Sequence, residues 1–234
     1  MKKPVCVVVG VGPGNGAAFS SRFVKEGYRV ALLARSSKFT NQLARELGEN
    51  SKAYVCDVSN VHTVQDVFKQ IYEELGEIDT VIYNAGSGAW GNIDEIKPEA
   101  FEINWRINTL GLFIVSRAVI PRMKKRGQGK IIVVGATASR RGGANTVAFA
   151  PAKAAQRSLT ESMAKYLWPY GIHVALIIID GVVDLPRIRE HMPDKSDNFF
   201  VKPTDVANTA FWLTQQPSSA WAFEVEARPF GEIW

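Results

Sequence analysis

The sequence predicts an α/β fold: a doubly wound domain, a seven-stranded parallel sheet with helices on both faces. Three observations predict it. Strand-like and helix-like segments alternate along the whole chain. The strand-like segments are short apolar runs rich in Val and Ile, without the polar alternation of a half-buried strand, as expected when both faces are covered. The first run, Val5 to Val9, leads directly into a turn holding Gly10, Gly12, Gly14 and Gly16, and then into a helix. A chain of 234 residues, 46% of them hydrophobic, suits a single domain over 1–234 with a full core.

Each element has its own signal. After the first strand, Ala17 to Val24 carries apolar residues spaced for one helix face, and Gly27 ends that helix. Arg29 to Ala34 is the second strand, residues 40–47 a short helix, and Ala53 to Cys56 the third strand. Val61 to Leu75 is an amphipathic helix capped by Ser59 or Asn60. Thr80 to Tyr83 is the fourth strand. A long helix runs from about Pro98 to Arg126, either continuous or interrupted near Gly111. Ile131 to Val134 is the fifth strand. The next helix covers about Ala148 to Trp168 and is closed by Pro169, and His173 to Ile179 is the sixth strand. Residues 182–202 break the pattern with prolines and charges, and read as a loop or short helices shaping a ligand site. Pro203 opens a last helix to Gln215, and Phe223 to Ala227 is the seventh strand.

Composition narrows the function classes. The longest apolar runs, such as Val174 to Ile179, are too short to span a bilayer. The start, Met1-Lys2-Lys3-Pro4, has no signal-peptide apolar core, so a cytoplasmic protein is expected, with no membrane partner. Cys6 and Cys56 fall in predicted strands and read as buried thiols. His62, His173 and His191 lack metal-ligand spacing, so no metal is expected. The net charge of +5 is mild, and the basic clusters Lys124-Lys125-Arg126 and Arg140-Arg141 read as solvated surface. No nucleic-acid partner is expected on that basis.

The glycine turn is where the chemistry starts. A helix N-terminus behind a turn without side chains is suited to a pyrophosphate. The glycines do not fit G-x-G-x-x-G; they fit Gly10-x-x-x-Gly14-x-Gly16. Further along stand Asp57-Val58 after the third strand, Asn84-Ala85-Gly86 after the fourth, Asn108 in the long helix, and Lys153 in Ala152-Lys153-Ala154-Ala155. In this order, and over about residues 4 to 227, the chain resembles the short-chain dehydrogenase/reductase family, a Rossmann-type fold.

The resemblance implies roles. Gly10, Gly14, Asn15 and Gly16 would hold the cofactor phosphates, Asp57 and the N–H of Val58 the adenine, and Asn84, Ala85 and Gly86 the cofactor ribose side. Lys153 would bind the nicotinamide ribose and serve catalysis, and Asn108 would hold a relay water through its backbone carbonyl. Gly181, in Asp180-Gly181 where the family has Pro-Gly, is counted with the cofactor-binding residues. At the end of the second strand, where NAD sites place an acid, stand Ala34, Arg35 and Ser36. Arg35 suits a 2′-phosphate, so NADP(H) is expected over NAD(H). A homodimer or homotetramer through the helices at 98–126 and 148–168 is also implied.

The departures bear on mechanism. The tyrosine expected four residues before Lys153 is Phe149, and the serine thirteen residues before that is Ala136. Neither can move a proton. The family's threonine after Pro-Gly falls at Leu185. Thr137 and Ser139 are hydroxyls beside the serine position, but a hydroxyl without a base is a poor acid. Asp180 stands at a strand's C-terminal end, where a buried carboxyl can act as an acid. Two readings follow: an oxidoreductase acting on an unknown small molecule with an altered proton path, or a nucleotide-binding sensor or interaction protein without turnover. Phe149 and Ala136 favour the second; Lys153 and Asn108 favour the first, which is preferred.

Overall fold

Residues 3–231 are described in the computed structural model. Met1 and Lys2 of the chain start, and residues 232–234 of the domain span, lie outside the described residues. The elements run β1 (Val5–Val9), α1 (Asn15–Lys25), β2 (Arg29–Ala34), α2 (Ser37–Leu47), β3 (Ser51–Val55), α3 (Val61–Glu74), β4 (Ile78–Tyr83), α4 (Pro98–Trp105), a π turn (Arg106–Leu110), α5 (Gly111–Arg126), β5 (Gly129–Ala136), α6 (Phe149–Leu167), β6 (Ile172–Ile179), β7 (Val182–Val183), α7 (Pro186–His191), β8 (Phe200–Val201), α8 (Pro203–Gln215) and β9 (Glu224–Ala227).

Seven strands form a wholly parallel sheet in the order β3-β2-β1-β4-β5-β6-β9. The order reverses at β1, which places a crevice beyond the ends of β1 and β4. Alternate residues of each strand feed opposite cores. Val5, Val7 and Val9 of β1 pack with α3, α5 and α6 residues such as Phe68, Leu112 and Leu167. Cys6 and Val8 pack on the other face with Phe19, Phe23, Val206 and Leu213 of α1 and α8. The expected seven-stranded doubly wound sheet is the fold found.

Some boundaries differ from expectation, each for a local reason. β3 is an edge strand, so its polar start at Ser51 and Lys52 pairs with β2 although it has no apolar signal. Cys56 lies just past that strand, buried, and both cysteines are free thiols. Asn60, one of the two caps expected for α3, accepts from the N–H groups of His62 and Thr63 through Oδ1. The segment at 182–202 holds a two-stranded parallel ladder, Val182↔Phe200 and Val183↔Val201, around the short α7. Arg189 closes it with a two-pronged ion pair to Asp184 at 2.7 and 2.9 Å.

The long helix is neither continuous nor simply broken. It passes from α4 to α5 through one π turn that ends at Gly111, whose N–H donates to the Arg106 carbonyl. A Cβ on Gly111 would lie 2.4 Å from the Tyr83 hydroxyl. That hydroxyl donates to the Ile107 carbonyl at 2.5 Å, inside the π turn. Glycine is therefore required by the close approach of β4. Among the described residues, no helix is long and apolar enough to cross a membrane.

Candidate active site

The glycine turn is shaped by contact with the end of β4. Gly10 adopts φ +90, and a Cβ there would fall 2.4 Å from the backbone of Ala85. Only glycine allows that approach without strain. Asn84 locks it, donating from Nδ2 to the Gly10 carbonyl at 2.7 Å. A Cβ on Gly16 would lie 2.7 Å from the same carbonyl, so the first turn of α1 sits directly against the loop. Beside Gly12 there is open space. At the N-cap of α1 the space is narrower, because a Cβ on Gly14 would lie 2.6 Å from Leu185 Cδ2, so the helix N-terminus faces a groove that Leu185 partly covers.

That groove continues in both directions along the C-terminal edge of the sheet. Towards β2, a cleft of about 280 Å³ is lined by Arg35, Ser36, Val58, Asn84, Ala85 and Gly86. Arg35 is exposed at its lip, and none of the lining residues is acidic. Asp57 does not border this cleft; its Oδ1 accepts from the N–H and hydroxyl of Ser59 at 2.9 and 2.7 Å, which fixes the turn before α3. In the middle, Gly14, Asn15 and Gly16 face Leu185 and Arg187 of the 182–202 segment. In the other direction a pocket of about 700 Å³ opens, shared by Asn15, Gly86, Ala136, Thr137, Phe149, Lys153 and Gly181. The structure therefore brings every expected site residue except Asp57 and Asn108 to the lining of one groove. A larger cavity, about 820 Å³, lies at the opposite end of the sheet among paired surface charges such as Arg126 and Glu77, and none of the motif residues borders it.

Lys153 is fully buried at the floor of the pocket. Its Nζ donates to the Val134 carbonyl at 2.9 Å and to Gln156 Oε1 at 3.0 Å. Burial without a carboxylate partner pushes its ammonium down to about 8. Asn108 is buried behind it, in the π turn. Its Nδ2 donates to the carbonyls of Ser87 and Asn104, clamping the loop that follows β4. Its backbone carbonyl, expected to hold a water, accepts Gln156 Nε2 at 2.9 Å. Gln156 carried no motif signal and was missed by sequence reasoning.

Phe149 opens α6 and packs on Trp90, with ring centroids 5.5 Å apart. Together they make an apolar wall. Beside it Ala136 ends β5. The next residue changes the proton chemistry: the Thr137 hydroxyl donates to Asp180 Oδ1 at 2.5 Å. Thr137 therefore does have a carboxylate beside it, contrary to expectation. Asp180 is not an isolated buried acid either. It is buried, does not border the pocket, and accepts from Arg228, with Arg141 at 3.7 Å. Ser139 turns away, accepting from the Ala136 N–H at 3.1 Å.

The residues fit a nicotinamide dinucleotide. One buried acceptor that lines the groove, Asn15 Oδ1, has no protein partner and matches a ribose hydroxyl, and the glycine turn is open at Gly12. No group of His, Cys, Asp or Glu among the described residues could hold a metal ion. The model of the short chain dehydrogenase family matches residues 4–196. An uncharacterised oxidoreductase of Staphylococcus saprophyticus is 28% identical over 233 residues, covering 98% of each chain. Among solved structures, a short-chain dehydrogenase from Rhodopseudomonas palustris is 32% identical, with TM-score 0.84 over 97% of this chain and 98% of that one. A metagenomic short-chain oxidoreductase solved in complex with NADP is 25% identical, with TM-score 0.84 over 97% and 96%.

Proposed function

The chain belongs to the short-chain dehydrogenase family, and from that membership we propose that it is an NADP(H)-dependent oxidoreductase whose small-molecule substrate presents a hydrogen-bond donor at the reacting centre, as an iminium does. What carries the reading is the single groove that runs from Arg35, past the glycine turn, to Lys153, Thr137 and Phe149. When bound, the dinucleotide supplies hydride transfer. Arg35 would hold a 2′-phosphate through charge-assisted hydrogen bonds, the glycine turn and α1 would take the pyrophosphate, and Lys153 would take ribose hydroxyls.

The substrate class follows from donors and acceptors. A carbonyl oxygen needs a donor, and Phe149 and Ala136 have none. Thr137 has a single hydroxyl proton, and it is committed to Asp180. Towards the pocket Thr137 can therefore only accept. An iminium N–H supplies the matching donor, and its reduction needs no proton from the site.

Calorimetry tests the cofactor: NADPH binds more tightly than NADH, and equal affinities overturn the assignment. A substrate panel tests the chemistry: ordinary aldehydes and ketones are reduced negligibly with NADPH, whereas iminium ions are reduced. Ketone reduction near ~1 s⁻¹ or above, at the low end of ordinary enzyme rates, overturns it. Phe149 and Ala136 equally suit a protein that binds the cofactor without turnover; tight NADPH binding with no turnover on either substrate class would favour that second reading.

A further inference from the structure

Gln156 lies on α6 one turn beyond Lys153 and is completely buried. A buried primary amide needs its hydrogen bonds made, and this one joins two groups of the site. Nε2 donates to the Asn108 carbonyl at 2.9 Å, and Oε1 accepts from Lys153 Nζ at 3.0 Å. The orientation of the amide is fixed by chemistry. A backbone carbonyl only accepts and an ammonium only donates, so the reverse orientation would face two acceptors together and two donors together.

Lys153 Nζ has three donors, and the Val134 carbonyl and Gln156 take two of them. Among the described residues no protein acceptor takes the third, and Lys153 borders the pocket, where a Cβ built on Gly86 would lie 3.9 Å from Nζ. The charged groups around the pocket are Arg141 and Arg187 at its mouth and Asp180 behind Thr137, and none of them bonds Lys153 among the described residues. The cation is therefore held by neutral acceptors alone.

We infer that Gln156 is the positioning residue of Lys153: its amide ties the ammonium to the Asn108 carbonyl in the π turn, fills the gap in which a water would otherwise join them, and leaves one N–H of Lys153 for a ligand in the groove. The low value near 8 that burial imposes on Lys153 gives this tie a measurable consequence. Removing the acceptor weakens the charged form; placing a carboxylate there strengthens it. The role rests on Lys153 facing the cofactor groove. Its test reads the lysine itself, so it can fail while the oxidoreductase reading stands, and the reverse.

The experiment is a pH titration of protein labelled with ¹³Cε-lysine, the Lys153 resonance being assigned by its loss in Lys153→Arg. Gln156→Leu lowers the Lys153 midpoint by about one pH unit or more, and Gln156→Glu raises it by a similar amount. An unchanged midpoint in either folded variant overturns the inference, because a residue that only fills space has no reason to move it. If one variant does not fold, the other still decides. A second readout is NADPH binding by calorimetry. Gln156→Leu weakens it more at pH 8 than at pH 6, since the variant lysine loses its proton earlier. The same loss at both pH values counts against the inference.

Discussion

Arg35 stands exposed at the lip of the cleft beside Ser36, on a lining without acids. A charged hydrogen-bond partner contributes about 1.5–3 kcal/mol, so Arg35→Ala should weaken NADPH binding roughly tenfold or more while leaving NADH binding nearly unchanged. Calorimetry with both cofactors measures this. Phe149 and Ala136 make the second residue-scale prediction. Lys153 and Asn108 already stand beside them, so Phe149→Tyr with Ala136→Ser should raise NADPH-dependent reduction of a simple ketone measurably above the unmodified protein. An acid alone is worth about 10²–10⁴-fold. The third concerns Lys153, whose ammonium is pushed down to about 8 from its ordinary 10.5. Between those pH values the unfolded chain holds a proton that the folded chain lacks, so this lysine makes stability rise with pH across that window. Below about 8 both states are protonated and the slope vanishes. Lys153→Met should remove the rise, as read by urea unfolding at pH 7.5 and pH 9.5.

At the scale of elements, the π turn is the part on which the site depends. Tyr83→Phe leaves the Ile107 carbonyl buried without its donor, at a cost of about 1–3 kcal/mol in urea unfolding. Gly111→Ala is costly because the new Cβ meets the Tyr83 hydroxyl and also Val58. Its cost should be smaller in the Tyr83→Phe background, since the 2.4 Å obstacle is gone; a double-mutant cycle measures the difference. The glycine at position 111 was legible as a point of interruption, but the π geometry was not, because a shift of one hydrogen-bond register leaves no pattern in side-chain polarity. The pairing of Thr137 with Asp180 was hidden for a related reason. Both residues were visible at strand ends, but their meeting depends on the register of β5 on β6, in which Ala136 faces Ile179 and the two next residues become neighbours. Gln156 looked like any polar residue of a helix until α6 was set against the π turn. By contrast, the glycine turn was readable because its place between an apolar run and a helix pattern implies strand, turn and helix, and Asn84 and Lys153 were readable through the family resemblance.

At the scale of the whole molecule, much of the apolar surface of the helices at 98–126 and 148–168 belongs to the internal core. Ile107, Leu112, Val115, Met163 and Leu167 are buried there. The same helices nevertheless expose Phe101, Trp105 and Phe113 on α4 and α5, and Tyr166 on α6. Apolar area of this kind suits a second copy of the chain. The expected outcome is a dimer or tetramer mass by light scattering at micromolar concentration, and Trp105→Glu with Phe113→Glu should shift it toward the monomer. The sheet also has an order in time. β9 is the last of its strands to leave a ribosome, yet the Asp180 N–H bonds the Ala227 carbonyl and the Asp180 carboxylate meets Arg228, the residue after that strand. Residues beyond β9 thus complete two parts of the pocket wall last: Arg228 meets the carboxylate behind Thr137, and Pro229 packs where a Cβ on Gly181 would lie 2.6 Å away.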